Sequence, residues 1–363
     1  MKRVCVIGHF GDGLNLTNGQ TIKTKTVTDE LKKELGEDQV VTIDSHGGIK
    51  TLLKAPFQCL TALKTSENVL MLPAYKGLRV YAPLLKMLRF FYKGRKIHYV
   101  TIGGWLPDFI KNKKRLKKCL SKFDGIYVET NTAKCALEDQ GFVNVFNMPN
   151  FKELRVLEED ELIRSEGTPH RLCTFSRVNR KKGIEDAVKA IKNVNEKTGR
   201  IAFSLDIYGS VDKGEEDWFE ALRNSFPSYI AYKGIIPFDQ SVDALRSYYA
   251  LLFPTLYFTE GVPGTILDSY ASGVPVIASK WENYSDVIEE GKTGIGYSFG
   301  NEGELEKILL ELSANPQKML NMRKDCLDRA HQYEPRKVLN VLINNLSKGL
   351  SEDKTNGSFS SQM

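Results

Sequence analysis

Phe253-Pro-Thr255-Leu-Tyr-Phe-Thr-Glu260-Gly261-Val-Pro-Gly264-Thr265-Ile-Leu-Asp268-Ser-Tyr-Ala-Ser272-Gly273-Val-Pro-Val-Ile-Ala278 is the stretch from which the rest of the chain can be read. An apolar strand closes at a Pro-Thr turn and a glycine-bearing loop follows. The spacing then predicts a helix from about Gly264 to Ser272, ahead of a second apolar strand at Val274–Ala278. Strand, loop, helix and strand in that order make a βαβ unit, whose natural home is a parallel sheet. Glu260 stands just ahead of the helix and Asp268 one turn inside it. Two carboxylates so placed can bind two polyol ends of a ligand whose diphosphate rests on the positive end of the helix dipole. The plainer alternative is a helix-capping Glu260 with Asp268 facing solvent.

The same alternation continues in both directions. Downstream of residue 170, apolar runs fall at Arg171–Ser176, Phe203–Gly209, Ile230–Lys233 and Ala250–Thr255. In the first half they fall at Arg3–Gly8, Val40–Asp44, Asn68–Pro73, Lys96–Gly103, Gly125–Thr130 and Val143–Met148. Two doubly wound parallel sheets are expected, with the acidic, strandless stretch 153–170 as linker. The predicted domains are 1–152 for the acceptor, 153–170 between, 171–332 for the donor, and a helix over 333–350 that packs back on the first domain. The polar tail 351–363 is expected to be disordered.

Two further loops follow predicted strands. Arg171-Leu-Cys-Thr-Phe-Ser-Arg177-Val-Asn-Arg180-Lys181-Lys182-Gly183 places cations at the rim where doubly wound sheets bind ligands. Arg177 offers a fork to a diphosphate and Lys182 a point charge; a solvated basic loop is the alternative. The first strand runs into Gly8-His-Phe-Gly11-Asp-Gly13-Leu-Asn-Leu-Thr-Asn-Gly19 and then a helix at Thr21–Leu35. Its glycines suit a phosphate loop or a plain turn, and their spacing is not that of a dinucleotide fingerprint.

Length and composition set bounds. The 363 residues favour about two domains, and 41% hydrophobic with 26% charged residues is ordinary for a globular chain. The longest run without Asp, Glu, Lys or Arg, Ser247–Thr259, falls short of a membrane span, and no leader pattern opens the chain. A cytoplasmic location is the expectation. Six cysteines without a C-x-x-C pair are read as buried reduced thiols. Net charge is +6, but residues 1–150 hold 24 Lys and Arg against 13 Asp and Glu, while the remainder holds 27 against 32. Between Lys50 and Lys122 there are 17 basic residues and two acidic ones, Glu67 and Asp108. That imbalance predicts an anionic partner for the first half. Residues 81–93 put Tyr81, Leu84, Leu85, Leu88 and Phe91 at helical spacing, with Lys86, Arg89 and Lys93 toward the other side; a second basic helix is predicted at 109–122. Several cations at an anionic leaflet can hold such an enzyme peripherally at the inner face of the membrane. The alternative is that the leucines pack on the sheet and the lysines keep the chain soluble.

With these motifs assembled, the chain resembles glycosyltransferases of family 4. Ser176-Arg177-x-x-x-x-Lys182-Gly183, Tyr208-Gly-Ser210, Tyr232-Lys-Gly-Ile-Ile236, the Glu260–Asp268 segment and Ala271-Ser-Gly-Val-Pro-Val-Ile-Ala278 carry the likeness in the family's order. In the first half Ile102-Gly-Gly-Trp-Leu-Pro107 and Met148-Pro-Asn-Phe-Lys152 are similar to bacterial capsular and exopolysaccharide transferases. The resemblance implies a GT-B architecture, two Rossmann-like domains facing across a cleft. It implies a retaining, metal-independent hexosyltransferase that takes a sugar from a nucleotide-sugar, a UDP-sugar by family frequency. The acceptor would be an oligosaccharide or polyprenyl-diphosphate-linked glycan in surface polysaccharide assembly.

By the same resemblance Glu260 contacts donor sugar hydroxyls and Asp268 the ribose. Arg177 and Lys182 hold the diphosphate, aided by backbone N–H groups of Gly261, Gly264 and Thr265. Ile236 reads the base through its backbone, and Gly11, Gly13 and Gly19 close on the phosphates. Catalysis falls to Arg177, Lys182 and Glu260, with front-face attack by the acceptor hydroxyl and no metal or other cofactor, there being no D-x-D triplet. Two departures stand out: Asp268 where the family carries Glu, and Gly103-Gly104 where many members carry a histidine. Rival readings are a nucleic-acid-binding protein and a dinucleotide epimerase or oxidoreductase. The first lacks interleaved aromatics between Lys111 and Lys122. The second lacks G-x-G-x-x-G, and Tyr92 and Lys96 have the Tyr-x-x-x-Lys spacing but not the helix.

Overall fold

The computed structural model describes residues 1–14, 19–163 and 167–347 and divides into two units. The first is Met1–Asn150 with the C-terminal helix Pro335–Ser347, and the second is Phe151–Glu334. The tail 351–363 lies outside the described residues.

In the first unit six strands, β1 (Lys2–Gly8), β2 (Val40–Asp44), β3 (Ser66–Met71), β4 (Lys96–Val100), β5 (Gly125–Val128) and β6 (Val145–Asn147), form one sheet in the order β2-β1-β3-β4-β5-β6. Every pair is parallel. Val4, Cys5, Val6 and Ile7 of β1 are all buried, the continuous apolar run expected of a strand covered on both faces. The helices Ile49–Thr65 and Tyr75–Leu88 cover one face through Cys59, Ala62, Leu78, Tyr81 and Leu85. The C-terminal helix joins this unit through Asn68 Nδ2 to Leu346 O at 3.3 Å and Arg336 to Glu34 at 3.6 Å.

The second unit repeats the architecture with β7 (His170–Phe175), β8 (Phe203–Tyr208), β9 (Ile230–Gly234), β10 (Ala250–Phe253), β11 (Val276–Lys280) and β12 (Gly294–Ser298), in the order β12-β11-β10-β7-β8-β9. All are again parallel. One face is closed by the helix Ile184–Thr198, whose Ile184, Ala187, Val188, Ile191 and Val194 recur at helical period, with acids in its first turn and Gly199 ending it. The other face is closed by the helix Gly264–Ala271 and Arg323–Ala330.

Several expectations need correction. The stretch 153–170 is not a bare tether. Leu154, Val156 and Leu157 pack into the core of the second unit, and Leu157 N–H donates to Ala271 O at 2.9 Å. Burial of these apolar side chains outweighs the local acidity that suggested a linker. The helix predicted over 81–93 begins at Tyr75 and ends at Leu88, so Phe91 falls in the 3-10 turn Arg89–Phe91 beyond it, where it is exposed. That over 109–122 is two short helices, Leu106–Ile110 and Lys114–Leu120, separated by a turn in which Lys111 N–H donates to Asp108 O and Lys113 N–H to Ile110 O. Five cysteines are buried, but Cys135 is exposed.

Candidate active site

A doubly wound sheet binds ligands beyond the carboxyl ends of its strands, where the chain reverses its direction of winding. In the second unit that point lies between β7 and β10, because β7 leads outward to β8 and β10 leads the other way to β11. The loops leaving these strands are Ser176–Gly183 and Pro254–Pro263. They are the two runs that sequence motifs singled out.

The loops are sewn together by backbone and charge. Leu256 N–H donates to Lys181 O at 2.8 Å. Gly183 has φ 67°, and a Cβ there would lie 1.8 Å from Pro254 O, so no side chain fits between the loops. A Cβ on Gly209 would meet Ser176 O at the same distance, which explains the glycine of Tyr208-Gly-Ser210. Across this seam Lys182 Nζ donates to Glu260 Oε1, with both side chains mostly shielded, at 14% and 19% exposure. Thr255 Oγ1 also donates to Glu260 Oε1 at 3.2 Å, and Asn283 Nδ2 holds the Glu260 carbonyl at 2.7 Å. Arg177 is half exposed and leans on Asp212, Nη1 to Oδ2 at 3.1 Å, while Asn179 Nδ2 holds the same oxygen at 2.8 Å. Lys182 therefore meets a carboxylate, not open solvent, and Arg177 is steered from one side with its remaining donors available.

Glu260 leads into the helix Gly264–Ala271, whose N-cap position, Pro263, makes no side-chain hydrogen bond to the first turn. N–H groups of the first helical turn have no intrahelical acceptor, so those of Gly264 and Thr265 are placed to bind an anion. Thr265 Oγ1 is buried there without a hydrogen-bond partner among the described residues. Asp268, expected to offer its carboxylate to a ribose, is 2% exposed and already held. Lys152 Nζ reaches both carboxylate oxygens at 2.6 Å and Ser241 Oγ donates to Oδ1 at 2.9 Å. Burial pushes the Asp268 carboxyl above its ordinary range, against the pull of Lys152 and Ser241. Lys152 Nζ sits 4.4 Å over the Phe238 ring, so the loop after β9 that carries Ile236 is drawn to this cluster. Ile236 itself is half-buried, just beyond Gly234.

In the first unit the reversal falls between β1 and β3. Gly11 and Gly13, with left-handed φ of 62° and 78°, follow β1, and Gly19 opens the helix Gly19–Leu35; residues 15–18 lie outside the described residues. Asp44, at the end of β2, accepts the N–H groups of Phe10 at 2.9 Å, Asp12 at 3.1 Å and His46 at 2.8 Å, which fixes the glycine loop. His9 and His46 are hydrogen-bonded ring to ring at 2.8 Å, and burial lowers the His9 pKa. Lys23 is buried against Pro149 O, Asn150 and Glu129, and desolvation takes its pKa down to about 8. Gly103 and Gly104 sit past the end of β4, where Trp105 Nε1 donates to Ile102 O at 2.7 Å.

Sequence reading brought Lys182, Glu260 and the helix start into one place in the second unit. It missed Lys152, Asp212, Ser241 and the His9–His46 pair. Lys152 lay inside the quoted Met148–Lys152 motif, but nothing in its spacing points to a carboxylate 116 residues away.

Residues 169–315 match the family model of glycosyl transferases group 1. A Salmonella typhimurium protein described provisionally as a colanic acid biosynthesis glycosyltransferase, WcaL, is 25% identical over 141 residues, 36% of this chain and 33% of that protein. The chain thus aligns with about a third of that relative's length. The alpha-galactosylglucosyldiacylglycerol synthase of Streptococcus pneumoniae is 22% identical over 69% of this chain and 70% of its own. Among solved structures, Alr3699/HepE of Anabaena, determined in complex with UDP, superposes with a TM-score of 0.74 at 14% identity, covering 96% of this chain and all of its own. The fold is that of GT-B glycosyltransferases, α/β with two six-stranded parallel sheets. Transferase is the enzyme class that the comparisons support, and the family match lies over the unit that carries Arg177, Lys182 and Glu260.

Proposed function

We propose that this chain is a retaining, metal-independent glycosyltransferase of family 4 that moves a sugar from a UDP-sugar to a glycan or lipid-linked acceptor in bacterial surface polysaccharide assembly. The observation that supports it most is the Lys182–Glu260 pair just ahead of the helix Gly264–Ala271 at the reversal point of the second sheet, with Arg177 on the same loop as Lys182. A diphosphate arriving there takes Lys182 from Glu260. The freed carboxylate then accepts hydroxyls of the donor sugar, and Arg177, steered by Asp212, binds a second phosphate oxygen. Ribose hydroxyls meet the Lys152–Asp268 pair, and the base meets the backbone at Ile236. N–H groups of Gly261, Gly264 and Thr265 complete the anion site.

As the bond from sugar to diphosphate breaks, negative charge grows on the leaving phosphate. Fixed cations and helix N–H groups stabilise it, each typically contributing ~3–4 kcal/mol to the barrier when removed. The acceptor hydroxyl attacks on the face the phosphate leaves, and the departing oxygen takes its proton, so no side-chain nucleophile is used. The basic first unit brings the enzyme to an anionic membrane surface at the cytoplasmic face. The direct test is transfer from a UDP-sugar followed by NMR of the product. Retained anomeric configuration without added divalent metal is expected; inversion, or strict dependence on metal, would overturn the mechanism.

A further inference from the structure

Away from the sheet reversal points, the first unit carries a groove of ≈ 860 Å³ between the helices Tyr75–Leu88 and Lys114–Leu120. Five cations rim it, Arg79, Lys86, Lys113, Lys114 and Arg115, and among the described residues no carboxylate lines it. Lys113 is committed, its Nζ donating to Phe109 O and lying 4.0 Å over the Phe109 ring. Nearby Arg89 shows the alternative fate of a cation here, since it is paired with Asp124 at 2.8 Å. Pro83, Met87, Leu116 and Cys119 give the groove an apolar lining. A cationic rim over an apolar lining is complementary to an amphiphile with an anionic head, not to a freely hydrated anion.

The surface beside it points the same way. Met87 is 58% exposed, and Phe90 and Phe91, in edge-to-face contact, are each 74% exposed. The neighbouring helix Ile49–Thr65, joined through Tyr81 OH to Gln58 Oε1 at 2.6 Å, also exposes Leu53, Phe57 and Leu60 at helical spacing. Large apolar side chains left in water on a basic surface mark an interaction site. We propose that the groove is a binding site for the phosphate headgroup of an anionic membrane phospholipid, with Met87, Phe90 and Phe91 entering the leaflet beside it. The inference sharpens and rests on the membrane contact proposed above; it does not rest on the donor site.

Flotation of the full chain with liposomes tests it, using phosphatidylcholine alone and with about 30 mol% phosphatidylglycerol. Binding to the anionic vesicles is expected, with little to the neutral ones. Phe90→Ser/Phe91→Ser and Lys86→Glu/Arg115→Glu should each weaken it by about tenfold or more. Millimolar glycerol 3-phosphate should leave it unchanged. Equal binding to neutral vesicles, wild-type binding by both variants, or displacement by the soluble phosphate would overturn the proposal. So would tighter retention on single-stranded RNA that competes with the vesicles. All four replaced side chains lie on the surface, away from the core, and sugar transfer to a water-soluble acceptor by the same variants reports on the donor site separately.

Discussion

Lys152→Met tests whether the buried Asp268 carboxylate is held by its ion pair. The side chains of Lys152 and Asp268 are 12% and 3% exposed, with Nζ at 2.6 Å from both carboxylate oxygens. Methionine keeps most of the stem and removes the charge, leaving Asp268 with Ser241 alone. Breaking a buried pair from one side typically costs ~3–5 kcal/mol, to which the lost contact with Phe238 adds about 0.5–1. Lys152→Met/Asp268→Leu leaves no orphaned charge and should recover most of that loss. Burial raises the Asp268 carboxyl, and removing Lys152 raises it further. The folded variant therefore binds a proton more tightly than the unfolded chain. Its deficit is full above the raised folded pKa and shrinks as pH falls toward about 4. Two units need not unfold as one transition, so amide exchange in β10 and β11 is the suitable assay, with β3 and β4 as internal control. Protection in the second unit should drop by at least about a hundredfold at pH 7 and by much less at pH 5. A drop under tenfold at pH 7, or a double variant no better than the single one, would refute the reasoning.

Other expectations follow from the same geometry. Glu260→Gln keeps an acceptor for Thr255 but gives up the charge that holds Lys182, so UDP should bind as tightly or more tightly in calorimetry while sugar turnover falls about 10²–10³-fold. Gly183→Ala must occupy a left-handed φ and meet Pro254 O, and should lower the stability of the second unit by roughly 2 kcal/mol or more in urea titrations. His98, 1% exposed, has its pKa lowered to about 4 by burial. The unfolded chain then takes up its proton first, and the first unit should lose ~3 kcal/mol between about pH 6.5 and 4. His98→Gln should remove that dependence, as pH-resolved exchange in β4 would show.

The parallel strands were legible because both faces of each sheet are covered, which makes buried strands read as continuous apolar runs. β12 was missed. It is an edge strand, Gly294-Ile-Gly-Tyr-Ser298, and a Cβ at Gly294 would lie 2.3 Å from Val276 O. The residue that lets the strand approach β11 also erases its strand signature. Strand order was beyond sequence, since the reversal between β7 and β10 is a matter of topology. In the candidate site, the loop seam of Lys182, Gly183 and Glu260 is legible because short motifs place these residues just after strand ends. Lys152, Asp212 and Ser241 are not, because long-range pairing of a cation with a buried acid leaves no local pattern. Spacing carries the apolar stripe on to Phe91 in α-helical register, but the α-helix ends at Leu88 and a tighter 3-10 turn, Arg89–Phe91, replaces it.

One experiment bears most directly on the claim that the second unit grips a diphosphate with side-chain cations. Calorimetric titration of UDP into the full chain, in chelator, should give saturable binding that weakens by at least about a hundredfold in Arg177→Ala/Lys182→Ala. No binding to the wild type, or the same affinity in the double variant, would contradict it.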